Sequence, residues 1–203
     1  MQDIVRPRLV LASTSQARCS LLKQVGYSPV VVAPNIDESP LKGETVTSLV
    51  KRLAYEKAFQ VSKSFENDVI LGADTLTIAG RRILGKPADR DEAKKFLQLL
   101  SGRRHRVYTG LCVIYQKKVL QRLSCAIVKF KRLSVEELNF YLDSKEWEGK
   151  SGACSIRGIS SVFVQWINGC DTTIAGLHLY TAYQMLNAVG LKLSCAAQDS
   201  SQV

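Results

Sequence analysis

One carboxylate interrupts a long apolar run. Residues 69–78 read VILGADTLTI, and Asp74 is the only acid or base among them. Aliphatic and β-branched residues in such a run predict a strand. An ionised carboxylate held away from water is costly unless it meets a partner, a cation or the surface. Any fold that accepts this strand must supply one of the three at position 74.

The flanking sequence alternates between the two regular structures. RLVLAS (8–13) and PVVVA (29–33) read as short strands. SQARCSLLKQVG (15–26) reads as a helix capped by Ser15, with Gly26 just past its end. Residues 45–64 predict a second helix with Val46, Leu49, Val50, Leu53 and Val61 at apolar positions. GRR (80–82) reads as the turn after the central strand. DRDEAKKFLQLLSG (89–102) predicts a helix with an acidic first turn and a terminal glycine. Residues 106–116 and 118–131 pair as a hairpin around QKK. SVEELNFYLDS (134–144) opens with a capping box, Ser134 with Glu137. SSVFVQWING (160–169) reads as a strand and turn, and LYTAYQMLNAVG (179–190) as a last helix. Strands and helices mixed in this way place the chain in the α/β class with a mixed sheet.

The 203 residues suit one domain, or one domain folded as two lobes. It is expected over residues 1–193, with SCAAQDSSQV (194–203) as a loose polar tail. No apolar run approaches the roughly 20 residues needed to span a bilayer. The start, MQDIVRPRLVLAS, lacks a signal-peptide core, so a cytoplasmic protein with no membrane partner is expected. Six cysteines are scattered without a C-x-x-C pair, which is not zinc spacing; free and mostly buried thiols are expected. The formal net charge of +10 favours anionic partners, with nucleic acid held only non-specifically at low salt.

Several residues stand out around Asp74. The first strand runs through ASTSQAR into a helix, and helix N-termini bind anions through their free N–H groups. Ser13, Thr14 and Ser15 add hydroxyls there. Arg18 stands in the first turn, where a cation opposes the dipole and a bound anion would relieve the conflict. Lys57 lies on the apolar stripe of the helix 45–64, four residues from both Leu53 and Val61. It either snorkels to the edge or reaches into a site. Lys86 is fixed between Gly85 and Pro87, and Glu38, like Asp37, is a loop acid in NIDESP. Carboxylates, cations and an anion-ready helix start are the set that phosphate chemistry needs.

Seven ordered blocks carry a resemblance. LVLASTSQARCSLL, NIDES, RLAYEKA, GADT, ILGKPADRDEA, LSGRRHRVYTG and SGACSIRG resemble the Maf family over roughly residues 8–190. The resemblance implies a nucleoside triphosphate pyrophosphatase that cleaves an NTP to the NMP and pyrophosphate as a house-cleaning step. It implies a fold like that of the inosine triphosphatases: α/β, a long mixed β-sheet with flanking helices, and two lobes around a cleft. It implies Asp74 as proton acceptor, Glu38 and Asp74 as the residues that organise Mg²⁺ or Mn²⁺, and Ser13, Arg18, Lys57 and Lys86 as phosphate-handling residues. A homodimer is the family default.

The specificity positions are Ala17, Thr75 and Arg157. Members of the family active on dTTP and UTP have arginine, threonine and glutamine there; members active on 7-methyl-GTP have tryptophan, glutamine and glutamate. Only Thr75 agrees, and with the first class, so dTTP, UTP or a modified nucleotide is expected. Arg157 could offer a planar donor fork to a base carbonyl or a phosphate. Near the C-terminus TIAGLH departs from the family's Asn-Val-Val-Gly-Leu-Pro at Thr173 and His178, and His178 reads as a surface or helix-cap residue. The rival reading is a non-enzymatic nucleotide- or nucleic-acid-binding regulator of septum formation. Retention of Asp74, Glu38, Lys57 and Lys86 argues against it, because a binder needs no general base.

Overall fold

The strand that carries Asp74 organises the sheet. The computed structural model describes residues 7–193, so the tail 194–203, with Cys195, lies outside the described residues. The strands are β1 (Leu9–Ala12), β2 (Val30–Val32), β3 (Val69–Ala79), β4 (Arg82–Leu84), β5 (Arg104–Tyr115), β6 (Lys118–Phe130) and β7 (Val164–Asn168). They form one seven-stranded sheet in the order β2-β1-β3-β5-β6-β7, with β4 also paired to β3. β1 is parallel to β2 and β3, and the remaining pairs are antiparallel. The expected α/β class with a mixed sheet is the observed one.

The helices are α1 (Gln16–Gln24), α2 (Val46–Ser62), α3 (Arg90–Leu100), α4 (Val135–Asp143), α5 (Asp171–Ile174) and α6 (Leu179–Ala188). The Ser15 cap of α1 and the Ser134–Glu137 capping box of α4 are present as read. Alternation along the strands divides the core. Leu9, Leu11, Leu71 and Val113 pack on one face under α1 and α6. Val10, Ala12, Ile70 and Cys112 pack on the other under α2. At the far end of β5 and β6, Val107, Val128 and Phe130 join Leu97, Leu100, Tyr141 and Phe163 in a separate core.

Two features position the site. β5 pairs with residues 70–78 along one edge of β3, while β1 pairs with 69–72 and β4 with 77–79 along the other. Between β1 and β4, residues 73–76 therefore have no strand beside them, and Asp74 lies in this window. The second feature is a close approach of α2 to the sheet. A Cβ on Gly72 would stand 2.2 Å from the Ala54 carbonyl oxygen, and one on Gly110 would stand 2.5 Å from that of Val50. Only glycine lets the helix backbone lie this near.

Some expectations need correction. Residues 160–169 are not strand throughout: Ile159–Phe163 is a 3-10 turn and only Val164–Asn168 is extended. The cause is Glu146, whose carboxylate accepts the N–H of Ile159 at 2.8 Å and of Ser160 at 3.5 Å, which fixes a turn at its start. The turn after β3 is Gly80–Arg81, and Arg82 already begins β4. α5 was not expected. The thiols are less buried than read: Cys112 is buried, Cys19, Cys154 and Cys170 are intermediate, and Cys125 is exposed.

Candidate active site

The central question of position 74 has a direct geometric answer. Lys57 Nζ lies 2.7 Å from Asp74 Oδ1 and 2.8 Å from Glu38 Oε1. Lys57 and Asp74 side chains are only 6% and 7% exposed, whereas Glu38 is 49% exposed. Of the two readings of Lys57, the inward one is correct: its stem lies in the apolar stripe of α2 and its ammonium enters the window. The Gly72 and Gly110 approach brings α2 near enough for this contact. Partial burial pushes the Glu38 carboxyl up, but the Lys57 hydrogen bond and the charges of Lys57, Lys86 and Arg18 outweigh it and hold it below its ordinary value.

The second oxygen of Asp74, Oδ2, is buried and has no hydrogen-bond partner among the described residues. A buried charged acceptor left unmatched is the costly case. Among the described residues no group of three or more His, Cys, Asp or Glu is arranged to hold a metal by itself. Two neighbouring carboxylates are nevertheless a donor set that Mg²⁺ accepts, because that ion usually takes one or two carboxylates with substrate phosphate oxygens and waters. The orphaned Oδ2 and half-exposed Glu38 fit such an ion.

On the other face of β3 stands Arg18. The sequence reading placed it in the first turn of α1 as a cation in want of an anion. It instead turns inward, and three of its five N–H groups meet protein acceptors. Nε donates to the Gly176 carbonyl at 2.9 Å, Nη1 to Ser13 Oγ at 2.9 Å and Nη2 to Thr75 Oγ1 at 3.1 Å. Desolvation lowers its pKa, against the opposing charges of Asp74 and Glu38. Thr75 Oγ1 also lies 3.0 Å from Thr109 Oγ1, and Thr109 donates to the Thr173 carbonyl at 2.7 Å. Ser13 is buried, and its hydroxyl accepts from Ser15 N at 3.2 Å.

The remaining residues are more dispersed. Lys86 is exposed in the loop after β4. That loop is tied to the turn Ser151–Ala153 by Gly152 N–H to the Gly85 carbonyl at 2.9 Å and by Ser151 Oγ to the Leu84 carbonyl at 2.9 Å. Ala17 is exposed on α1. Arg157 is exposed and pairs with Asp171 at 3.1 Å, so its fork has a protein partner. His178 occupies the N-cap position of α6 without a capping bond, and Nδ1 lies 2.6 Å from Thr181 Oγ1. The sequence reading missed Thr109, Asp171, Glu146 and the carbonyls of Thr173 and Gly176. Thr109 lies in the LSGRRHRVYTG block but looks like any strand threonine, and carbonyl acceptors leave no side-chain signature.

Comparisons with known proteins agree on one group. A family model described as Maf-like protein matches residues 8–189. A nucleoside triphosphate pyrophosphatase of Ehrlichia ruminantium (strain Welgevonden) is 48% identical over 181 residues, covering 88% of this chain and 94% of its own. A dTTP/UTP pyrophosphatase of Cereibacter sphaeroides is 48% identical over 190 residues, covering 93% of this chain and 98% of its own. A dTTP/UTP pyrophosphatase of Wolbachia pipientis wMel is 43% identical over 182 residues, covering 88% and 92%.

Proposed function

Because the chain belongs to the Maf-like protein family, we propose that it is a nucleoside triphosphate pyrophosphatase. It cleaves a (d)NTP to the (d)NMP and pyrophosphate, with dTTP, UTP or a modified nucleotide as substrate. The names of relatives 43–48% identical over most of the chain support this activity. Dependence on Mg²⁺ or Mn²⁺, a cytoplasmic location and a homodimeric state belong to the same proposal.

The observation that carries the mechanism is the pairing of a fully engaged Asp74 Oδ1 with an unmatched, buried Oδ2. Lys57 fixes the carboxylate through Oδ1. Oδ2 is then the atom free to take a proton from the attacking water, and holding that water against the triphosphate converts an unfavourable encounter into an oriented one. Glu38 and Asp74 would hold the divalent ion, which when bound would polarise phosphoryl oxygens as a Lewis acid. Arg18, Ser13 and the N-terminal N–H groups of α1 bind phosphate oxygens at the end of β1. Lys86 adds charge from the β4 side of the window. Pyrophosphate release from dTTP, UTP, CTP, 7-methyl-GTP and modified triphosphates, with and without Mg²⁺ or Mn²⁺, tests the proposal. Metal-dependent release from dTTP or UTP is expected. Folded protein that binds nucleotide but releases no pyrophosphate would move the reading to the non-enzymatic regulator.

A further inference from the structure

The acids of this chain are absent from half of its sheet. β5, β6 and β7 contain no Asp or Glu, yet they carry Arg104, Arg106, Lys118, Arg122 and Lys129. All 18 acids of the protein lie elsewhere. Pairing sorts these cations by face, because directly opposed residues project to the same side of a sheet. Arg104 opposes Lys129, and Lys129 opposes Trp166. Arg106 opposes Ile127, and Ile127 opposes Asn168; Tyr108 opposes Cys125. Arg104, Arg106, Tyr108, Lys129, Trp166 and Asn168 therefore share one face.

That face is open. The intervening residues His105, Val107, Ala126, Val128 and Phe130 are buried on the opposite side. Arg104, Arg106 and Asn168 are exposed, and Tyr108, Lys129 and Trp166 are partly exposed. α2 packs against the same face further along, at Gly72 and Gly110. Arg104, Arg106 and Lys129 form no ion pair among the described residues. The Arg104 guanidinium instead lies 5.0 Å from the centre of the Trp166 ring, which holds both groups in place.

We propose that this face binds single-stranded nucleic acid. Unpaired cations attract a polyanion by releasing its counterions. Arg104 and Arg106 are two residues apart on one strand, about 7 Å by strand rise, so they meet successive points along a backbone. Trp166 and Tyr108 offer ring faces for base stacking in the same surface. Both rings are half-sunk in the sheet, which suits stacking better than insertion into lipid. The proposal does not depend on the pyrophosphatase reading, since none of these residues belongs to the Asp74 cluster.

The test uses the full chain and a fluorescein-labelled oligo(dT) or oligo(U) of about 15 nucleotides, followed by anisotropy over a range of KCl concentrations. Arg104→Gln/Arg106→Gln/Lys129→Gln is expected to weaken binding about tenfold and to reduce the log–log salt slope by about 2, at roughly 0.7 per lost phosphate contact. Lys23→Gln/Lys63→Gln/Lys95→Gln removes the same charge from exposed positions on α1, α3 and the end of α2, and is expected to keep most of the affinity. Oligonucleotide should also quench tryptophan emission, and Trp166→Phe should abolish the quench, because the other tryptophan, Trp147, is buried. Thermal melting confirms that each variant folds. Equal losses in the two triple variants, no loss in the first, or no binding even at low salt would overturn the proposal. So would binding to phosphatidylserine vesicles without binding to the oligonucleotides.

Discussion

Two polar clusters lie on opposite faces of β3 at neighbouring residues, and they are satisfied to different degrees. Around Thr75 most of the polar groups are matched: Arg18 has acceptors for three of its five N–H groups, and Thr109 passes its proton to a carbonyl. Around Asp74 one carboxylate oxygen is matched and the other is not. The first arrangement holds Arg18 in a fixed geometry. The second keeps a charged atom unmatched in a window left open between β1 and β4. Among the described residues three other buried side-chain atoms lack partners, Tyr27 Oη, His105 Nδ1 and Tyr141 Oη, but each belongs to a group that is neutral when buried. The difference is that the unmatched atom at position 74 belongs to a carboxylate paired with a lysine, whereas the other three belong to groups that burial keeps neutral.

The contrast can be broken most forcefully at Lys57. Lys57→Met leaves a buried carboxylate without its counter-charge and should cost about 3 kcal/mol at neutral pH by denaturant unfolding, with loss of turnover. A variant as stable as the parent at pH 7 would mean the pair is not the anchor of the site.

His105 sharpens the distinction between charged and neutral orphans. Burial lowers its imidazole from 6.5 to about 4, so the folded state tolerates only the neutral ring. The associated stability is complete above pH about 6.5 and is lost as pH falls toward 4, by up to about 3 kcal/mol. Denaturation midpoints compared at neutral and acid pH should show this loss, and His105→Phe should remove that part of the dependence without altering turnover at neutral pH.

The better-matched side should respond more mildly. Thr109→Val keeps the volume but leaves the Thr173 carbonyl without its donor, at about 1–3 kcal/mol. Turnover should fall far less than in the Lys57 variant; an equal fall would place Thr109 in the chemistry. Smallest of all is Asp171→Asn, which breaks an exposed pair with Arg157 and should change stability by less than about 1 kcal/mol. Its thermal midpoint, set beside KM, would show whether Arg157 needs that partner to meet a substrate.

Much of this was legible in the sequence because it rests on local patterns. Ser15 and the Ser134–Glu137 box announce helix starts, and the observed caps use those side chains. Asp74 and Lys57 were conspicuous as charges inside apolar runs, and the structure joins them. The rest depended on long-range contacts. Residues 160–163 carry strand-forming types, yet a carboxylate from Glu146 turns them into a 3-10 helix. Arg18 looked like an exposed cation because its three acceptors come from Ser13, Thr75 and Gly176, the last 158 positions away. The window beside Asp74 exists only because β1 and β4, far apart in sequence, share one edge of β3.

The most direct test is turnover of Asp74→Asn. The amide keeps the shape and can still meet Lys57, but it cannot accept a proton from water. Nucleotide hydrolysis should fall by at least about 100-fold, the lower end of what a positioned base contributes, while the protein melts as a folded chain and still binds nucleotide. Turnover within a few-fold of the parent, from equally folded protein, would contradict the assignment of Asp74 as the base.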